Sequence, residues 1–269
     1  MIVRAIALIA VLAPASAVAS TGRPVVALTA SPTHLTLAAR TQHAIRVANP
    51  GATPLVVDAS PAGFTLGPRG RPHVVGGAPA RRVASWLRVR PNRIALAPGG
   101  AVELVLSAVP SRGATPGDHA ALVLLTTRAP PGAALPVRMR VGVTVVVRVP
   151  GRIVHRLALR SLRVVAGARA RWPVFRAVVE NRGNVVERLR RGQVEIALRA
   201  RGRRVAELRS GPRELLPGTT AIFELPYRAR VGGALTAVAS LARSRDGKTT
   251  VRRAVRVVLG GADRGATIR

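Results

Sequence analysis

Cysteine is absent from the 269 residues. That excludes disulfide staples, thiolate metal sites and cysteine nucleophiles. Acids are scarce: 11 Asp and Glu stand against 43 Lys and Arg, a formal net charge of +32. Lys248 is the only lysine. So strong a preference for arginine, in a chain rich in Ala, Gly, Pro and Val, reads as GC-rich coding. Coding bias does not explain why acids are so few, and a surface this cationic attracts polyanions through its long-range field. Aromatics come down to Phe64, Trp86, Trp172, Phe175, Phe223 and Tyr227. Stacking platforms for single-stranded nucleic acid or neutral polymers need more than these. No stretch offers roughly 18 uninterrupted apolar residues, so no membrane-spanning helix is expected in the mature chain. Helical periodicity is scarce.

What the chain does have is apolar material, 48% of residues, broken by 26 Gly and 21 Pro. That combination suits short strands joined by turns, in one large or two ordinary domains. The first residues read as an address. Arg4 supplies a positive charge, Ala5 to Ala13 is an apolar run, Pro14 breaks it, and Ala15-Ser-Ala17 and Ala17-Val-Ala19 fit a small-x-small cleavage rule. Residues 1–19 are therefore expected to be a secretory signal peptide, and the protein to be exported to the periplasm, cell surface or medium. Residues 261–269 form a polar tail.

Period-2 alternation recurs along the chain. In Val137 to Val149 the odd positions, Val137, Met139, Val141, Val143, Val145, Val147 and Val149, are apolar, while Arg138, Arg140, Thr144 and Arg148 occupy even ones. Alternation of this kind gives a strand one apolar and one basic face. Two readings stay open for it: a core strand, or an exposed edge able to pair with another chain. Ala120 to Leu125 is apolar on both faces, as in a central sandwich strand. An internal repeat organises the rest. Ile45 to Gly51 and Ala177 to Gly183 are strands ending in Asn-x-Gly. Leu96-Ala-Pro-Gly99 and Leu215-Leu-Pro-Gly218 each precede a further alternating strand. The expected fold is all-β: two tandem immunoglobulin-like β-sandwich domains, residues 23–150 and 151–260. The Gly-, Pro- and Arg-rich stretch from Gly63 to Arg82 reads as a flexible loop or exposed hairpin. Trp172, before Pro173, is a candidate contact between the domains.

These residues resemble a known branch of immunoglobulin folds. Thr33 to Leu37, Ala44 to Asn49 and Leu55 to Val57 follow the opening strands of PapD-like domains. Trp86 to Pro91, Leu96 to Gly99 and Val102 to Pro110 match the middle. Pro116 to Leu125 and the strand ending at Val147-Arg-Val-Pro-Gly151 match the end. With the second copy at Val178 to Asn184, the mature chain is similar to two-domain bacterial envelope proteins of the WxL-interacting family, and more distantly to periplasmic pilus chaperones. The first resemblance implies binding to the cell wall and surface proteins, although that family's membrane-spanning C-terminus has no counterpart here. The second implies donation of a long alternating strand, here Val137, Met139, Val141, Val143 and Val145, to an incomplete subunit. Val143 stands where such a chaperone would carry a basic anchor.

For chemistry, the sequence offers little that is catalytic. The acids are scattered, and His34, His43, His73, His119 and His155 show no metal-ligand spacing. Asp118 and His119 are adjacent on a strand and so point to opposite faces. No enzyme, cofactor or metal is expected. Arginines are the candidate binding groups: Arg188, Arg190, Arg191, Arg199, Arg201, Arg203 and Arg204 flank a strand at Val194 to Leu198. If Leu198 to Leu208 is a hairpin turning at Arg201-Gly-Arg203, they gather at one end of a sheet. Guanidinium forks suit phosphate or carboxylate. They read either as a site for an anionic envelope polymer or as a solvated face. The expected role is non-enzymatic docking on anionic wall polymer or a surface protein partner. A strand-donating chaperone is the alternative, and an accessory module of an exported enzyme the third reading. Nucleic acid fits the charge but neither export nor the few aromatics.

Overall fold

The computed structural model describes residues 27–128, 138–165, 172–228, 233–242, 250–259 and 267–268. The expected signal peptide and most of the polar tail lie outside them. The chain folds as two all-β sandwiches, as the alternation implies.

The first contains β1 (Thr29–Ser31), β2 (His34–Ala38), β3 (Gln42–Ala48), β4 (Leu55–Ala62), β5 (Phe64–Leu66), β6 (Pro72–Val74), α1 (Ala78–Ser85), β7 (Leu87–Arg90), β8 (Arg93–Leu96), β9 (Ala101–Ala108), β10 (Gly117–Thr127) and β11 (Arg140–Val149). One sheet runs β1-β3-β9-β7 and faces a second, β2-β11-β10-β4-β8. Their inward residues form one core that includes Leu37, Ile45, Val47, Leu104, Leu106 and Val145, all fully buried. The second sandwich contains β12 (Leu157–Val165), β13 (Val174–Asn181), β14 (Glu187–Leu189), β15 (Val194–Ala200), β16 (Arg203–Arg209), β17 (Arg213–Leu215), β18 (Thr220–Pro226), β19 (Gly233–Ala242), β20 (Thr250–Leu259) and β21 (Thr267–Ile268). Its sheets run β12-β13-β18 and β16-β15-β19-β20-β21, with β14 paired to β17. A separate core gathers Phe175, Val179, Ile196, Leu198, Ala237 and Leu241.

The repeated motifs occupy equivalent places. Asn49 and Asn181 are both buried at the ends of strands. Asn49 Nδ2 donates to Thr53 O at 2.7 Å and to the carbonyls of Leu96 and Ala97. Asn181 Nδ2 donates to Val185 O at 2.7 Å and Leu215 O at 3.1 Å. The side-chain oxygens accept the N–H of Gly51 and Gly183. Each Asn backbone carbonyl then accepts from the glycine of the Pro-Gly turn, Gly99 or Gly218, with φ of 70° and 71°. Only a residue without Cβ takes that conformation without strain. The motifs are thus two halves of one hydrogen-bonded knot tying a strand end to the turn before the next strand.

Of the two readings for Gly63 to Arg82, the structure has the hairpin: β5 and β6 pair antiparallel there, with β6 exposed, and most of α1 follows, which was not expected. Helical periodicity is hard to see in eight residues, and α1 starts with Pro79 in its first turn and no side-chain cap. The long strand starts at Arg140, and Val137 lies outside the described residues. The expected hairpin does form, between β15 and β16. Arg201 (φ 48°) and Gly202 (φ 79°) make the two-residue turn, as type I′ hairpins require. A left-handed arginine is strained, whereas asparagine tolerates that region. Arg201→Asn is expected to stabilise the second sandwich by about 0.5–1 kcal/mol, read as a higher urea midpoint at unchanged slope. No rise in midpoint would remove the strain argument.

Candidate functional site

β11 has two unlike edges. Along one it pairs with β10 over its whole length, from Arg140 to Val149. Along the other it pairs with β2 in parallel, but only from Thr144 to Arg148. The Thr144 N–H reaches Thr33 O at 2.9 Å on that side. Backbone groups alternate along a strand, so the N–H and C=O of Arg140 and Gly142 face the same way. Among the described residues nothing pairs with them. The strand start is anchored only on the β10 side, where Thr127 N–H donates to Met139 O and Met139 N–H donates to Thr127 Oγ1 at 2.8 Å. Of the expected donor residues, Val143 and Val145 are fully buried, and Met139 and Val141 pack half-buried against the same core. The strand therefore fits both open readings: its side chains belong to the core, and the edge of its first half is free.

This edge opens towards the second sandwich. The joint between the two is built around Asp118, whose side chain is wholly buried. Arg148 grips both its oxygens, at 2.7 and 2.8 Å, and the Val186 N–H donates to Oδ2 at 2.8 Å. Burial alone would push this carboxyl up, but the Arg148 fork and the Val186 N–H outweigh it and hold it below the ordinary carboxylate value. Asn184 adds bonds to Pro116 O and Arg152 O, and its backbone carbonyl accepts Asp118 N–H. Gly117 (φ 122°) lies so close that a Cβ there would sit 2.2 Å from Asn184 O. Beside the joint, Phe64, Leu122 and Leu216 form a bridging apolar cluster with Leu124 and Val186 at its margin. The β5–β6 turn completes the contact: Pro68 O accepts Ile222 N–H, and Arg69 forks onto Glu224 at 2.9 and 3.2 Å. Trp172 is half-buried at the start of β13, and the contacts described here run through other residues.

No cation stands at Val143. The cleft's polar cluster is instead His34, Arg188 and Glu214. Arg188 donates to His34 Nε2 at 2.6 Å and pairs with Glu214 at 3.2 Å, and His34 Nδ1 lies 3.6 Å from Glu214. His34 lies on β2 opposite Thr144, close to the end of the free edge. Sequence spacing offered no signal for a cluster whose members are 154 positions apart.

The seven candidate arginines do not gather at one end of a sheet. Arg188 belongs to the cleft. Arg190 and Arg191 lie on the turn before β15, whereas Arg199, Arg201 and Arg203 are at its far end, roughly 20 Å away at ~3.3 Å per residue. Arg204 is engaged by Glu195 and Glu207 on the exposed sheet face. Arg190, Arg191, Arg199, Arg201 and Arg203 are exposed and form no ion pair among the described residues. The fold also creates a carboxylate pair hidden in the sequence. Burial and then Glu207 push Glu195 up, while hydrogen bonding from Arg209 holds Glu207 down. Arg204 and Arg209 neutralise the pair, which is the behaviour of a surface ion network. Among the described residues no three His, Asp or Glu side chains converge as a metal site, and no helix is long and apolar enough to cross a membrane.

No family model matches the chain, and no curated protein does. Solved structures similar to it include a chaperone–tip adhesin complex of CFA/I fimbriae, at 11% identity and TM-score 0.48, over 85% of this chain and 98% of that one. The CupB2 chaperone of Pseudomonas aeruginosa is similar at 16% identity and TM-score 0.42, over 86% and 100%. A Salmonella enterica SafA pilin complex with the SafB chaperone is similar at 15% and 0.43, over 88% and 99%.

Proposed function

We propose that the protein is exported and holds a surface-protein partner by strand addition along the free edge of β11, a chaperone-like binding role without catalysis. The observation that carries this reading is the unpaired edge at Arg140 and Gly142, continuous with the β2-paired half and flanked by apolar Met139, Val141 and Val143. An added strand gains main-chain hydrogen bonds there, and alternate side chains supply specificity. An open strand edge is an aggregation hazard unless something covers it, and a partner strand is such a cover. Docking on an anionic wall polymer, the leading expectation from composition, has weaker support because its arginines are split between two ends of β15. Arg199, Arg201 and Arg203 at one end, and Arg190 and Arg191 at the other, make no ion pair among the described residues, and the group of three is enough for a secondary anionic contact.

The test is co-expression with an immunoglobulin-type surface subunit lacking its last strand. The wild-type chain is expected to co-purify with it. Gly142→Pro removes the outward N–H while leaving the bonds to β10, and is expected to abolish capture without unfolding the protein. Val141→Arg is also expected to weaken capture, and because Val141 packs half-buried against the core the variant's urea midpoint is measured alongside. Capture undiminished by Gly142→Pro would exclude strand addition at this edge. Loss of capture only on neutralising Arg199, Arg201 and Arg203 would favour the anionic contact instead.

A further inference from the structure

A cavity of 530 Å³ opens beside α1, with Val83, Trp86 and Ala114 among its apolar lining residues and Arg82, Arg112 and His119 among its polar ones. It lies away from the free edge of β11. Trp86 is 4% exposed, and its Nε1–H is buried without an acceptor. That N–H is closed off from solvent, so the indole offers the cavity apolar ring surface. His119 meets the indole edge-on, with ring centroids 4.9 Å apart, and its Nε2 is 2.8 Å from Thr115 O. The ring is thus held in place by its neighbours. No acidic side chain lines the cavity. Arg82 and Arg112 are exposed and make no ion pair among the described residues, so two guanidinium forks stand at the wall.

The geometry points to a binding site for a medium-chain aliphatic carboxylate, with its chain against Val83, Trp86 and Ala114 and its carboxylate held by the Arg82 and Arg112 guanidiniums. The size lies within the usual range for small-molecule sites, and such sites combine apolar walls with a few orienting polar groups. A neutral apolar ligand would leave both forks unused. A small anion would leave the apolar wall wet. The amphiphile satisfies both. This inference is independent of strand addition.

Octanoate, octanol and acetate are titrated into the full chain by calorimetry. Trp86 emission is followed in a Trp172→Phe background, where Trp86 is the sole tryptophan. Octanoate is expected to bind and to shift the emission, and octanol and acetate to bind at least tenfold more weakly. Arg82→Ala with Arg112→Ala, both at exposed positions and so expected to leave the fold intact, should weaken octanoate binding by about tenfold or more. Octanol binding as tightly as octanoate, acetate doing so, no binding of octanoate, or octanoate binding indifferent to the arginines would each overturn the assignment.

Discussion

Asn181→Ala is expected to destabilise the second sandwich by about 2–4 kcal/mol, and Asn49→Ala the first by a similar amount. The truncation does more than remove a contact. It strands the carbonyls of Val185 and Leu215 in a buried site and the N–H of Gly183 in a half-buried one. Buried backbone groups without partners cost far more than the net value of the bonds they lose. Asn181→Asp separates this account from simple packing. It preserves shape but turns a donating amide into an oxygen that faces two carbonyls. Burial and those carbonyls should raise the new carboxyl's pKa above its unfolded value. Stability of this variant should then be highest below the unfolded aspartate pKa and fall as pH rises through the folded one, opposite in sign to the native carboxylates. Urea unfolding of each variant between pH 4 and 7, with unchanged slope, is the measurement. A loss below about 0.5 kcal/mol for Asn181→Ala, or a pH-independent Asn181→Asp, would mean the knot is incidental to the fold.

The same knot shows what could be read from the sequence. Asn-x-Gly and Leu-x-Pro-Gly are local patterns with fixed backbone demands, so their repetition disclosed the duplicated sandwich. The alternation in Val143, Val145 and Val147 correctly placed these side chains in the core, because a strand's period does not depend on its neighbours. The contacts that assemble the molecule from distant pieces were not legible. Ala120 to Leu125 has two apolar faces and fits a central strand, yet its outer side chain Leu122 is buried by Leu216 of the other sandwich. A periodic pattern reports that a face is covered and not by what. The arginines show the limit in the other direction. Seven guanidiniums crowded in sequence are distributed by β15 between its two ends, because an extended strand separates residues faster than a sequence plot suggests. His34, Arg188 and Glu214 meet only through the docking of one sandwich on the other. The β5–β6 hairpin was one of the two readings that the Gly- and Pro-rich stretch allowed, because such composition marks turns well; α1 was hidden because eight residues show little periodicity.

Asp118→Ala is expected to uncouple the two sandwiches, loosening their mutual orientation while each keeps its own core. Truncation leaves the Val186 N–H without its acceptor at a buried position. Arg148, half-exposed, turns to water instead. Breaking such a pair from the buried side is costly because the remaining partners were placed for it, and about 2–3 kcal/mol of joint stability should be lost. The pH dependence has a definite sign. The folded carboxyl is held below the ordinary aspartate value of 3.8, so its contribution is complete above that value and is lost as pH falls through the folded pKa. Glu224 acts in the same sense: the Arg69 hydrogen bond, with Arg176 behind it, outweighs the opposing effect of burial and holds its carboxyl low. The wild-type joint should therefore be rigid from pH 5 to 7 and open under acid. Asp118→Ala should already be open at pH 7 and show a smaller acid transition, due to Glu224. Small-angle scattering gives the breadth of interdomain distances, and hydrogen exchange at Val186 reports the freed amide. Because His34, paired with Thr144 at the end of the free edge, is held by Arg188 of the second sandwich, partner capture should weaken with the joint even though no residue of the edge is changed. An Asp118→Ala chain with unaltered scattering at pH 7 would show that the Leu122–Leu216 cluster and the Arg69–Glu224 fork suffice to hold the sandwiches together.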